Sequence, residues 1–118
     1  MNKDGAKTAI TESTKYSNLY IQVQNNEKIV FWGASLFLED FIKRYELVND
    51  NIIGIIDKNP NRTGQYLGQY QIFSPNDLEK LKPKLIIITI VNSARERALE
   101  VKNFLAENYS EDIEVRTI

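Results

Sequence analysis

Three short runs, KIVFW (28–32), NIIGIID (51–57) and KLIIITIV (84–91), are apolar at successive positions. A strand with one face in water alternates apolar and polar residues; a strand apolar on consecutive residues is covered on both faces, as in a parallel sheet. Parallel neighbours need crossovers, and those crossovers are right-handed. The intervening segments have the right periods to supply them. Residues 36–47 place Phe37, Leu38, Phe41, Ile42 and Tyr45 on one helical face and pair Glu39 with Lys43 and Asp40 with Arg44 on the other. In NSARERALEVKNFLAENY (92–109), Ala94, Ala98, Val101 and Leu105 share a face, with Ser93 and Glu96 at capping-box spacing. SPNDLEKL predicts a short helix with Ser74 as N-cap and Pro75 at its first position.

The rest of the chain fits around this frame. Leu19, Tyr20 and Val23 predict a short helix over 14–25, whereas residues 1–11 are polar and without period, which predicts a flexible N-terminus. Residues 12–118 then form one domain. KNPNRTGQYLGQYQIF reads as a loop followed by a hairpin-like excursion around Gly64 and Gly68, and DIEVRTI alternates like a half-buried edge strand. The expected fold is α/β: a three-layer sandwich around a mostly parallel sheet of about four to five strands. Residues 28–32 lie in the middle, with 51–57 on one side and 85–91 on the other. Ligands of such sheets bind at the carboxyl ends of the strands where the order reverses. Here that crevice falls between Gly33-Ala34-Ser35 and residues 89–93, flanked by Asp57.

Composition narrows the chemistry. With no Cys and no His among 118 residues, disulfides, thiolate or imidazole metal sites, Cys nucleophiles and the commonest general base are all excluded. Fifteen Lys and Arg against sixteen Asp and Glu, without a block of either sign, leave no footprint for a nucleic-acid backbone. The longest apolar run is too short to span a bilayer, and the first residues lack the apolar stretch of a secretion signal. A cytoplasmic location is the expectation.

In a dinucleotide site the first glycine makes the tight turn, the second lets the pyrophosphate approach and the third lets helix and strand pack closely. At those positions this chain has Gly33, Ser35 and Leu38. Leu38 is expected to push the helix away from the sheet, and Ser35 to occupy space a pyrophosphate needs. What survives is a helix N-terminus that offers N–H groups and a positive dipole end to one phosphate, with the Ser35 hydroxyl beside it. Asp57 stands where an acidic residue takes ribose hydroxyls. Lys58 and Arg62 are within reach of a phosphate, and Asn92 and Arg95 lie at the mouth of the crevice. Each has a plainer reading. Gly33 can serve the turn alone, Ser35 the cap alone, Asp57 the DKNPN turn alone, and Phe31 and Trp32 the core.

IVFWGASLFLEDFI, followed by IIGIIDKNPNRTGQYLGQYQIFSPNDLEKLKPKLIIIT, resembles the Rossmann-like domain of bacterial surface-carbohydrate enzymes. The shared pattern is a strand ending in Gly-Ala, a second ending in Asp, an Asn-Pro with a Gly-x-x-x-Gly excursion, then Ser-Pro-x-x-Leu and an apolar strand. It is similar to the C-terminal domain of sugar C-methyltransferases, to a region associated with FkbM-type methyltransferases and to the nucleotide-sugar-binding domain of sialic-acid-type acyltransferases. That resemblance implies that Gly33, Ala34, Ser35 and Asp57 hold the nucleotide of an activated sugar and that Asn92 and Arg95 match the polar turn after the third strand. The catalytic modules of those relatives are absent. The implied protein is therefore a nucleotide or nucleotide-sugar recognition domain of a methyltransferase-like transferase in polysaccharide biosynthesis, a piece of a larger enzyme and non-catalytic alone. The alternatives are an NAD- or coenzyme A-binding domain, or an assembly domain that forms a homodimer or docks a catalytic domain through its 31–32 and 66–73 stretches.

Overall fold

The computed structural model describes residues 3–109 and 112–118, with side chains from residue 14 onward. In chain order the elements are α1 (Lys3–Asn25), β1 (Ile29–Trp32), α2 (Leu36–Arg44), β2 (Ile52–Ile56), β3 (Tyr66–Leu67), β4 (Tyr70–Phe73), a 3-10 turn (Pro75–Asp77) running into α3 (Leu78–Leu81), β5 (Leu85–Ile88), α4 (Ala94–Asn108) and β6 (Glu114–Thr117). Every residue of β1 and β5 is buried, and in β2 only Ile53 is less than fully covered. The successive apolar positions thus do mark strands roofed on both faces.

The six strands form one sheet in the order β3-β4-β2-β1-β5-β6. β1 runs parallel to β2 and β5, β5 to β6 and β2 to β4; β3 alone is antiparallel, to β4. The sheet is wider than the expected four to five strands because the excursion around Gly68 does not stand apart. Tyr70 and Ile72 point into the core, so β4 docks beside β2 with Ile72 opposite Ile55. Gly54 makes room for this, since a Cβ there would come within 2.8 Å of the Phe73 ring.

Alternate strand residues feed two cores. On one face Phe31, Ile55 and Ile87 meet Leu19 and Val23 of α1 and Leu38, Phe41 and Ile42 of α2. On the other, Val30, Trp32, Ile86 and Ile88 meet Leu78 of α3 and Val101 and Leu105 of α4. Phe31 and Trp32 are 0% and 3% exposed, so the 31–32 stretch is core and not a docking surface. Aromatic stacking seats α1 on α2, with Tyr16 on Phe37 at 4.9 Å between centroids and Tyr20 on Tyr45 at 4.6 Å.

Two helix starts differ from expectation. α1 begins at Lys3, well before residue 14. An amphipathic period marks where a helix is buried, not where it ends, and a nucleated helix propagates through polar residues. The flexible segment read over 1–11 includes Met1 and Asn2, which lie outside the described residues. At α4, Ser93 is left-handed (φ 62°) and its side chain caps nothing. The box is lost because a side-chain N-cap bond needs an extended cap residue. The first helical position expected of Pro75 is realised, and Ser74 donates its N–H to Asp77 Oδ2 at 3.0 Å.

Candidate functional site

The carboxyl ends of β1, β2 and β5 converge on the turn at residues 33–35. Gly33 has φ +115°, and a Cβ there would lie 2.4 Å from Ile90 Cγ1, so the turn needs glycine for both conformation and space. Its N–H donates to Ile56 O at 2.7 Å. The next amide, of Ala34, donates to Asp57 Oδ2 at 2.9 Å, while Asp57 Oδ1 accepts the Asn59 N–H at 2.9 Å. One carboxylate thereby ties the turn after β1 to the loop after β2 and shapes that loop as well.

Ser35 is the N-cap of α2, accepting the Leu38 N–H at 3.1 Å and donating its hydroxyl to Thr89 O at 2.6 Å. The side chain is turned into the protein instead of filling the space before the helix. Leu38, the expected wedge, is fully buried in the α2 core. Thr89 is itself fully buried, with Oγ1 2.6 Å from Gly33 O and 3.1 Å from Trp32 O. The ends of β1 and β5, which part in an open switch point, are stitched together by these two hydroxyls. Thr89→Val keeps the volume and removes the donor from buried carbonyls, which is expected to lower unfolding free energy by about 1–2 kcal/mol in urea titrations.

The amides of Ser35, Leu36 and Phe37 make no hydrogen bond among the described residues, leaving the positive end of α2 open to an anion. Over this end lies Arg62, with Nη1 3.4 Å from Ala34 O and Nε bonded to Gln65 Oε1 at 3.0 Å. It has no carboxylate partner among the described residues. Lys58, by contrast, is bonded to Glu100, which Arg97 also engages at 2.9 Å. Hydrogen bonds from Lys58 and then Arg97 hold the Glu100 carboxyl below its ordinary range. The stability this contributes is present above the ordinary glutamate pKa and is lost as pH falls through the lowered value; exposure keeps it small.

Beside the turn is a slot of about 320 Å³ lined by Trp32, Lys58, Pro75 and, from α4, Glu100, Asn103, Phe104 and Glu107. Its walls are mainly apolar, with the edge of Phe104 against Trp32 at 6.0 Å. Trp32 adjoins Gly33 and Lys58 adjoins Asp57 in the chain, so two of the residues lining the slot border the residues of the turn and the loop. Its α4 residues, at 100, 103, 104 and 107, stand at helical spacing in the sequence, beside the face marked by Ala94, Ala98, Val101 and Leu105. Gly33, Ala34, Ser35 and Asp57 are thus brought together. Asn92 and Arg95 are exposed, and their side chains make no hydrogen bond or ion pair among the described residues. Among the described residues no group of three or more acidic side chains gathers as for a metal ion, and no described helix is long and apolar enough to cross a membrane.

A mostly parallel sheet with this strand order, a glycine turn into a helix and an acidic residue closing β2 define a Rossmann-like α/β domain. Residues 25–112 match the family described as C2185-like, N-terminal, and the chain belongs to that family. Curated proteins offer no match. Among solved structures the chain is similar to UDP-D-quinovosamine 4-dehydrogenase from Vibrio fischeri, with TM-score 0.59 and 15% identity over 79% of this chain and 78% of that one. It is also similar to RSP, a Rex-family repressor, with TM-score 0.55 and 15% identity over 90% of this chain and 60% of that one. RSP in complex with β-NADH aligns with TM-score 0.53 and 15% identity over 90% of this chain and 61% of the repressor. At such identity the likeness establishes the fold.

Proposed function

We propose that the domain recognises a nucleotide, and that its ligand is a nucleoside diphosphate sugar. The observation that carries this reading is the placing of three complementary features along one edge of the sheet. The apolar slot over Trp32 and Phe104 takes a base, Asp57 between the slot and the turn takes ribose hydroxyls, and the free amides of α2 with Arg62 take phosphate. The carboxylate oxygens of Asp57 each accept one amide and retain a lone pair for a hydroxyl. A sugar nucleotide is favoured over a dinucleotide because the second half of a dinucleotide crosses between β1 and β5. Here the Ser35 hydroxyl bonded to Thr89 O and the Thr89 hydroxyl bonded to Gly33 O tie the two strand ends together. The solved dehydrogenase named above acts, by its name, on a UDP-sugar.

NAD is the second reading, favoured by the likeness of 90% of the chain to a repressor solved with β-NADH. The same repressor has been solved with β-NAD+ and operator DNA. DNA stays outside the proposal for this chain because its net charge is −1, with no basic block. Service to a methyltransferase-like enzyme of surface polysaccharide synthesis rests on the motif resemblance alone, since the similar solved structures named above are a dehydrogenase and a repressor.

Calorimetry with nucleotide-sugars, nucleoside diphosphates, NAD, coenzyme A and S-adenosylmethionine tests the reading. A nucleoside diphosphate sugar is expected to bind most tightly. Phe104→Ala should weaken it about tenfold or more through lost stacking, and Arg62→Ala by a similar factor through the phosphate. NAD outcompeting every nucleotide-sugar would transfer the assignment to the second reading. Silence across the panel would leave a domain of assembly.

A further inference from the structure

β6 closes one side of the sheet, and its outer edge is unpaired among the described residues. Glu114 donates its N–H to Lys84 O at 3.2 Å, so its backbone groups face β5. Alternation along a strand turns those of Arg116 the same way and those of Ile113, Val115 and Thr117 outward. A strand added here in antiparallel sense must place one outward-facing residue opposite another.

We infer that this edge pairs with β6 of a second copy of the chain, antiparallel about a two-fold axis at Val115. In that register Val115 faces Val115 of the partner subunit, Ile113 faces Thr117 of the partner subunit, and Glu114 faces Arg116 of the partner subunit, twice by symmetry. The Glu–Arg pairs fall at the non-hydrogen-bonded positions, where opposed side chains are closest. The neighbouring registers are worse. An axis at Glu114 sets two glutamates against each other even as it brings Arg116 to Asp112, an axis at Arg116 sets two arginines together, and an axis at Ile113 sets Glu114 against Asp112. Of these four registers, only the axis at Val115 opposes no like-charged side chains. Within a single copy, Arg116 already reaches Glu114 at 2.7 Å and Gln22 at 3.3 Å, which holds both charged groups on the α1 face of the strand. The result is one continuous sheet through both subunits, with its two carboxyl edges, and the sites on them, left open.

Sedimentation equilibrium of the intact chain over a range of concentration and salt tests this inference independently of any ligand. The expected result is a dimer that weakens as salt rises. Arg116→Glu should raise its dissociation constant roughly a hundredfold, because two attractive pairs become repulsive. The exchange Glu114→Arg with Arg116→Glu should restore the dimer. Val115→Pro removes an outward N–H without touching the bonds to β5, so it should yield a folded monomer by circular dichroism. A wild-type chain that stays monomeric at every concentration would overturn the proposal, as would a dimer that survives both Arg116→Glu and Val115→Pro.

Discussion

Gly33→Val should destabilise the domain by about 3–5 kcal/mol, read as a shifted midpoint in chemical denaturation, because it combines a backbone penalty with a steric one. At φ +115° a β-branched residue is held in a region that L-residues rarely enter. Its Cβ would also stand 2.4 Å from Ile90 Cγ1 and 2.9 Å from Cδ1. The two contributions separate experimentally. Gly33→Val combined with Ile90→Ala should recover the steric part and leave a residual loss of about 1–3 kcal/mol from the backbone. Equal stability of Gly33→Val and the wild type would show that the turn is free to rearrange.

Asp57→Ala should act twice. The amides of Ala34 and Asn59 lose a charged acceptor, which is expected to cost about 2–3 kcal/mol of unfolding free energy. Affinity for a nucleotide should fall by about two orders of magnitude as the ribose loses its partner. Asp57→Asn discriminates between the two roles. Its remaining carbonyl can serve one of the amides, so about half the stability should return, whereas an uncharged acceptor for ribose should leave binding impaired. Loss of stability with unchanged affinity in Asp57→Ala would restrict this residue to holding the loop.

The cores and the strand order were legible because burial writes itself into local period: IVFW, IIGII and LIII are apolar without a gap, and each is a central strand. The width of the sheet was not legible, since QIF beside a glycine-rich turn fits either a detached hairpin or an added strand. Only the tertiary fit of Phe73 over Gly54 decides between them. The turn at Gly33, its cap at Ser35 and the position of Asp57 followed from local chemistry. How Ser35 and Asp57 spend their hydrogen-bonding capacity did not, because Thr89 and Ala34 are 54 and 23 residues away. Nothing in the polarity of Arg62 distinguishes it from Lys58. Their different fates come from Glu100, which α4 brings to one and not to the other.

The loop after β2 is held by its own chain at nearly every step. Asn59 and Asn61 donate to the side chains two residues before them, Arg62 donates its N–H to Asn59 O, Gln65 to Arg62 O and Gly64 to Ile72 O. A wall of this kind does not have to fold around whatever arrives. The kinetic consequence is that ligand entry should be a single encounter step, with an observed rate in stopped flow that climbs in proportion to ligand concentration and shows no plateau from a slower closing motion.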